Sequence, residues 1–333
     1  MTIPSELIGS LPRSADSANA VKETVERLEA LGSPVVTDGD QAKPSAYTYP
    51  LDGATGLSPD GIVIPFADGH TRQLPALTSG PFRYRVHAEQ YLRAAQKVAT
   101  VPVKQSVVAP SLLSLLYPAN GIDGYSREAF LDDLVDGAEA DIRGCLEAGA
   151  HAVQLEFTEA RLSLKLDPSG QVLRDFVELD NRVLERFSET ERARIGAHTD
   201  PGADQGSTHS LDVDYAELLP SFFQLKVGNF YLALAGEADQ DRVLSMIAAQ
   251  LPAEGQVFVG VTDPVDPRVE TAEEVRDRVL RAAQYLPADR LGTCDDSGFA
   301  SFADDLSTSR DVAFAKIKAR LEGTALAAEA LGI

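Results

Sequence analysis

The stretch Arg194-Ile195-Gly196-Ala197-His198-Thr199-Asp200 decides the fold. A short apolar run stops abruptly at side chains that carry protons or charge, as a buried strand does where it leaves the carboxyl end of a barrel. Working outward, the same pattern recurs in Leu291-Gly292-Thr293-Cys294-Asp295-Asp296-Ser297-Gly298. Further strand candidates are Val35 to Asp40, Val101 to Val108, Ala152 to Phe157, Phe222 to Val227, Phe230 to Ala235 and Val257 to Asp263. Amphipathic stretches alternate with them: Tyr84 to Val98, Arg127 to Ala148, Asp175 to Phe187, Asp239 to Gln250 and Thr271 to Tyr285. Eight strands in such alternation predict an α/β fold, a TIM-type (β/α)8 barrel, formed by a single domain over residues 1–333. The link between the candidates at 222–227 and 230–235 is too short for a crossover helix, so one of the two is misassigned.

Residues 41–83 are rich in Pro and Gly and carry the turn signals Leu51-Asp52-Gly53 and Ser58-Pro59-Asp60-Gly61. They read as a long excursion after the first strand, with a hairpin near Ile62 to Phe66, overhanging the catalytic face. The closing stretch Asp311 to Leu331 is helical in pattern and could cover the barrel exterior or a subunit interface, which would make a homo-oligomer.

Lys and Arg total 30 against 51 Asp and Glu, a formal charge of −21 that argues against nucleic acid or an anionic membrane as partner. No apolar run approaches the ~20 residues of a membrane span, and Met1-Thr2-Ile3-Pro4-Ser5-Glu6 lacks the pattern of a secretion signal, so a cytoplasmic location is expected. The partner expected is a small molecule. Cys145 and Cys294, outside any CxxC pair, cannot build a thiolate metal cage.

Reactive groups in a barrel come from the ends of different strands. The polar strand ends are Asp38 and Asp40, Lys104 and Gln105, Glu156, His198 and Asp200, Asp263, and Asp295 to Ser297. His198 and Asp200 are two apart and share a side of a regular strand, so both could ligate one ion, or Asp200 could instead orient the imidazole or cap the turn at Pro201-Gly202. His209, in the loop beyond, is a candidate general acid or base, while His70, His87 and His151 read as structural. Cys294 sits beside two carboxylates that disfavour a thiolate and reads as a buried strand cysteine.

Several of these segments resemble the cobalamin-independent methionine synthase family, in its short, single-barrel form. Ile8-Gly9-Ser10-Leu11-Pro12-Arg13 is similar to the opening of that family's catalytic barrel, and Val36-Thr37-Asp38-Gly39-Asp40-Gln41 to its Gly-Glu segment. Val153-Gln154-Leu155-Glu156 resembles a strand that ends in Asp in the family. Gly196 to Gly202 resembles the His-x-Cys motif, and Gly260-Val261 through Thr271 the penultimate strand and loop. The resemblance implies a methyl or small alkyl transferase whose zinc activates a thiol for attack on a methyl group carried by a reduced folate. Catalytic residues would be His198, Asp200, Glu156 and His209. Gly9, Ser10, Asp40 and Glu156 would hold the substrate's amino-acid end, with Gln105 a further substrate-binding candidate, and His198, Asp200 and Ser297 occupy metal positions.

The zinc site is altered. Asp200 and Ser297 stand at the two family cysteines, Ala233 at a glutamate ligand and Val265 at a proton-donating histidine. Losing both thiolates predicts zinc held weakly or not at all. Two further outcomes suit the same barrel: a metal-free lyase, hydrolase or decarboxylase, as in the related uroporphyrinogen decarboxylases, or a catalytically inactive binding homologue.

Overall fold

The computed structural model describes residues 2–333. Six parallel strands form the body of the barrel: β1 (Gln105–Val108), β2 (Val153–Glu156), β3 (Ile195–Thr199), β4 (Asn229–Leu232), β5 (Gln256–Thr262) and β6 (Leu291–Asp295), neighbours in that order. Two short staves complete it. Ser5 pairs in parallel with Thr293, and Val36 with Val103. Glu6 N–H donates to Thr293 O (2.9 Å) and Lys104 N–H to Val36 O (2.9 Å). The two staves meet where Thr37 Oγ1 donates to Gly9 O (2.9 Å) and Leu11 N–H to Gly39 O (3.0 Å).

The strand expected at 222–227 is thus corrected. Its first residue ends the helix Tyr215–Phe222, where Leu218, Leu219 and Phe222 are buried at helical spacing and Asp214 caps Ala216 N–H. The missing stave comes from the N-terminus, whose Ser5 is too short a stretch to show alternation. The helix Ala272–Ala282 begins at Thr271 with a reciprocal Thr271/Glu274 capping box, as its sequence suggests.

Small residues let large ones fill the barrel floor. A Cβ at Gly196 would lie 2.6 Å from the Tyr231 ring, and one at Gly292 would lie 2.4 Å from the Phe258 ring, so only glycine admits this layer. Tyr231 and Phe258 stack at 4.5 Å, joined by Ile8 and Cys294. Lys104 lies under the Tyr231 ring at 3.7 Å and pairs with Glu6 at 3.2 Å. This layer closes the amino end, which leaves chemistry to the opposite mouth.

Residues 41–83 roof that mouth. The predicted hairpin forms, with Val63–Pro65 paired to Thr71–Gln73. It is tied down by Ala67 N–H to Thr208 O (3.0 Å) and by Arg72, which reaches Asp204 (2.5 Å) and Asp304 (2.9 Å) and lies 4.0 Å over the Phe302 ring.

Outside the barrel, Ser111 Oγ lies 2.6 Å from Glu159 Oε1 and 2.9 Å from Asp180 Oδ2. One hydroxyl proton cannot serve two acceptors, so a carboxyl must keep its own. Burial pushes Asp180 up to about 7, and burial followed by the Asp180 charge raises Glu159 well above its ordinary range. A carboxyl with a raised folded pKa contributes its full stability below about pH 4 and loses it as pH climbs towards 7. Asp180→Asn should therefore stabilise the protein by about 1–3 kcal/mol at pH 8 and far less at pH 5, read by urea unfolding at both. An equal effect at the two pH values would refute the shared-proton account.

Candidate active site

Parallel register sets Glu156 of β2 beside His198 of β3. Side chains at matched positions share a face, and Glu156 Oε2 lies 2.8 Å from His198 Nδ1. Gln154 donates to the other Glu156 oxygen at 2.6 Å. On its far side His198 Nε2 donates to the backbone carbonyl of Asp296 (3.0 Å). Burial pulls the imidazole pKa down, but Glu156 more than offsets it and the net shift is upward.

A second group gathers around the staves. Asp40 occupies a left-handed backbone conformation (φ 53°), which is uncommon outside glycine, and pairs with Lys43 Nζ at 2.7 Å. Lys43 also donates to Ser106 O (3.0 Å) and Oγ (3.1 Å). Burial alone would lower the Lys43 pKa, yet Asp40 and Asp38 hold it above its usual value. Burial and then the Asp40 charge push Asp38 up to about 6. Gly9 packs against Ser106, and Ser10 Oγ fills the space beside Gly298, next to Ser297.

Five of the buried residues here keep an oxygen with no hydrogen-bond partner: Asp38 Oδ2, Asp40 Oδ2, Gln154 Oε1, Asp200 Oδ2 and Ser297 Oγ. Asp200 spends Oδ1 on Gly202 N–H (2.9 Å), which is the turn cap that its sequence position allows. Buried polar atoms are rarely left unpaired, and three of them on three separate strand ends mark a place for a ligand or water.

Two cavities open above. The larger, about 540 Å³, lies under the hairpin and is lined by Tyr47, Phe66, Arg72, Leu74, His209 and Phe302 among others. The smaller, about 200 Å³, is lined by Ala233, Gly236, Asp263, Val265, Asp296 and Ser297. The segment from Pro201 to His209 contributes to both. Burial pushes His209 down to about 4, so it is neutral at physiological pH, with Nδ1 2.6 Å from Ser210 Oγ.

The structure thus gathers Glu156 and His198 in one contact and Gly9, Ser10 and Asp40 in a second group, with Asp200 buried between strand and turn. Only Ser297 of the metal positions lines an open cavity. Gln105 stands apart. Lys104 and Ser106 contact lumen groups, so alternation turns Gln105 away from the mouth, where its amide donates to Ser106 O (3.2 Å). Sequence reasoning missed Lys43, whose signal was a lysine three residues after Asp40, and Arg72 and Tyr47, which lay in an excursion read only as overhang.

The metal positions do not fit a zinc ion as they stand. The Nε2 lone pair of His198 is spent on a proton facing a carbonyl, Nδ1 faces Glu156, and Ser297 offers only a hydroxyl. Among the described residues no three His, Cys, Asp or Glu side chains converge on one point. Cys294 is buried, and burial with the Asp295 charge raises its thiol pKa, as expected of a structural cysteine.

A closed α/β barrel with a roofed mouth and histidine, carboxylate and hydroxyl groups at its strand ends defines a barrel built for small-molecule chemistry. The catalytic-domain model of the cobalamin-independent synthase family matches residues 75–313, and this chain belongs to that family. A 5-methyltetrahydropteroyltriglutamate–homocysteine methyltransferase from Trichodesmium erythraeum is 24% identical over 302 residues, 88% of this chain. The chain spans only 38% of that relative's length. A methionine synthase from Saccharolobus solfataricus is 20% identical, the match covering 90% of this chain and 81% of that protein. A B12-independent methionine synthase from Shewanella, solved with selenomethionine, shares the fold with a TM-score of 0.80 at 18% identity, over 99% of each chain. No helix of the described residues is long and apolar enough to cross a membrane.

Proposed function

We propose that this barrel transfers a methyl or other small alkyl group from a carrier to a small nucleophile such as a thiol. The observation that carries the reading is the set of unpartnered buried oxygens at strand ends, Asp40 Oδ2, Asp200 Oδ2 and Ser297 Oγ, the last of them lining one of the two cavities at the mouth. A transfer reaction needs two sites that meet. The larger cavity, with the aromatic walls of Tyr47, Phe66 and Phe302, suits a flat heteroaromatic carrier, and a reduced folate has that chemistry. The smaller suits the nucleophile.

In the step itself the nucleophile's lone pair takes the methyl carbon, the carrier–carbon bond breaks, and its electron pair returns to the carrier. The nucleophile's proton must leave, and His209, neutral and lining the larger cavity, is the candidate to accept it and pass it to the carrier. His198, Asp200, Glu156 and His209 are the catalytic candidates, and Gly9, Ser10 and Asp40 are the candidates for holding the nucleophile. No step is assigned to zinc. The relative named as a homocysteine methyltransferase, the one named as a methionine synthase and the selenomethionine held by the Shewanella protein support the reaction class. The test is conversion of homocysteine to methionine with methyltetrahydrofolate as donor. Absence of turnover, with either compound released unchanged from a tight complex, would favour an inactive binding homologue. What favours the second reading, a metal-free lyase, hydrolase or decarboxylase, is that among the described residues no three His, Cys, Asp or Glu side chains converge on one point.

A further inference from the structure

Two of the segments that wall the larger cavity meet again behind it. Leu112 and Thr158 line the cavity, and their chain neighbours Ser111 and Glu159 sit with Asp180 in one buried cluster. Ser111 N–H donates to Asp180 Oδ1 (2.9 Å), and the Ser111 hydroxyl bridges Glu159 Oε1 (2.6 Å) and Asp180 Oδ2 (2.9 Å). One hydroxyl thus ties together three helices, Pro110–Ser114, Glu159–Leu166 and Gln171–Leu184. Glu159 Oε2 is buried there without a partner.

The cluster holds together only with an added proton. When it is present, a carboxyl O–H donates to Ser111 Oγ while the Ser111 O–H donates to the other carboxylate, and both short contacts are hydrogen bonds. When it is lost, one of those contacts sets lone pair against lone pair, and two negative charges share a low-dielectric pocket. The nearby cations are engaged elsewhere. Arg161 and Lys165, on the helix of Glu159, pair with Glu237 (2.8 Å) and Asp212 (2.9 Å), and Arg182, on the helix of Asp180, pairs with Asp132 (2.7 Å). From the helix Arg127–Glu147, Asp141 accepts Ala88 N–H (2.6 Å) and the Tyr49 hydroxyl, and from Tyr215–Phe222 the Tyr215 hydroxyl donates to Ala233 O. The other ionisable neighbours sharpen the conflict. After burial and the Asp180 charge, Glu156 adds to the lift on Glu159; burial, then the charges of Asp141 and Asp180, raise the unpartnered Tyr84 hydroxyl.

We propose that Ser111, Glu159 and Asp180 form a proton-operated latch on the wall of the larger cavity: protonated, it pins Leu112 and Thr158 in place, and deprotonated, it lets both segments loosen. The latch does not rest on the transfer reading. Hydrogen exchange on the intact protein reads it directly, because local opening sets the protection of each segment. After correction for the intrinsic rate, protection over residues 109–117 and 158–166 should fall about tenfold or more between pH 6 and pH 8.5, while the helix Ala272–Ala282 holds level. Asp180→Asn supplies the missing hydrogen from its amide and should keep the pH 6 protection at pH 8.5. Methyltetrahydrofolate, whose own groups do not titrate in that range, should bind wild type about threefold or more weakly at pH 8.5, since a loosened wall must be ordered again on binding, and should bind Asp180→Asn equally at both.

Equal protection at the two pH values, or the same fall in Asp180→Asn, overturns the latch. So does a fall shared by Ala272–Ala282, which would make the effect one of global stability. Methyltetrahydrofolate binding wild type with one Kd at both pH values overturns the link to the cavity wall. If the exchange pattern holds and methyltetrahydrofolate binds at neither pH, the folate reading of the larger cavity fails and the latch stands.

Discussion

Lys43→Ala should cost about 3–5 kcal/mol of stability, the usual consequence of removing one partner of a fully buried ion pair. Lys43 and Asp40 are both buried, and the lysine is the nearest countercharge for Asp38 as well. Without it two carboxylates are left together in a low-dielectric site, and the chain must take up protons to fold. The deficit should accordingly be larger at pH 8 than at pH 5, where the orphaned carboxyls can protonate. Denaturant unfolding at the two pH values measures both effects. A Lys43→Met and Asp40→Asn double substitution, which removes both charges, should recover most of the loss. A single substitution that costs less than about 1 kcal/mol at pH 8 would show that Asp40 does not depend on Lys43.

The second large effect is on turnover and should come without a stability cost. Asp200→Asn retains the Oδ1 cap on Gly202 N–H and removes charge from an oxygen that has no partner in the protein. Because that oxygen makes no hydrogen bond in the protein, the melting temperature should stay within a few degrees of wild type. If it faces the ligand, kcat/KM for alkyl transfer should fall about 100-fold or more, a loss of about 2.7 kcal/mol in transition-state stabilisation. Sites kept for function at the expense of stability behave this way. A drop in melting temperature with kcat/KM unchanged would make Asp200 a turn cap alone.

How legible was all this in the chain? The run ending in His198-Thr199-Asp200, the hairpin near Ile62 to Phe66 and the capping pattern at Thr271 each stood alone as local signals, and each forms as read. The misread segment at 222–227 is instructive. An apolar run of that length satisfies a strand or a helix end equally, and what decides between them is the Asp214 cap upstream together with the surface that Leu218 and Phe222 must bury. Gln105 shows a related limit. Its position on a barrel strand was legible, but the face it presents depends on a register set by Lys104 reaching Glu6 and Leu7.

By itself the sequence determined the alternation of strands and helices and the polar strand ends, because these depend only on residue type and on spacing along the chain. Only the tertiary structure decided that Glu156 meets His198, that Lys43 rather than a substrate neutralises Asp40, that Ser5 closes the barrel, and that Ala233, Val265 and Ser297 line one small cavity with Asp263 and Asp296. Those outcomes are pairings between residues tens to hundreds of positions apart. They are settled by barrel register and by the charge and volume each partner brings, quantities that local pattern does not contain.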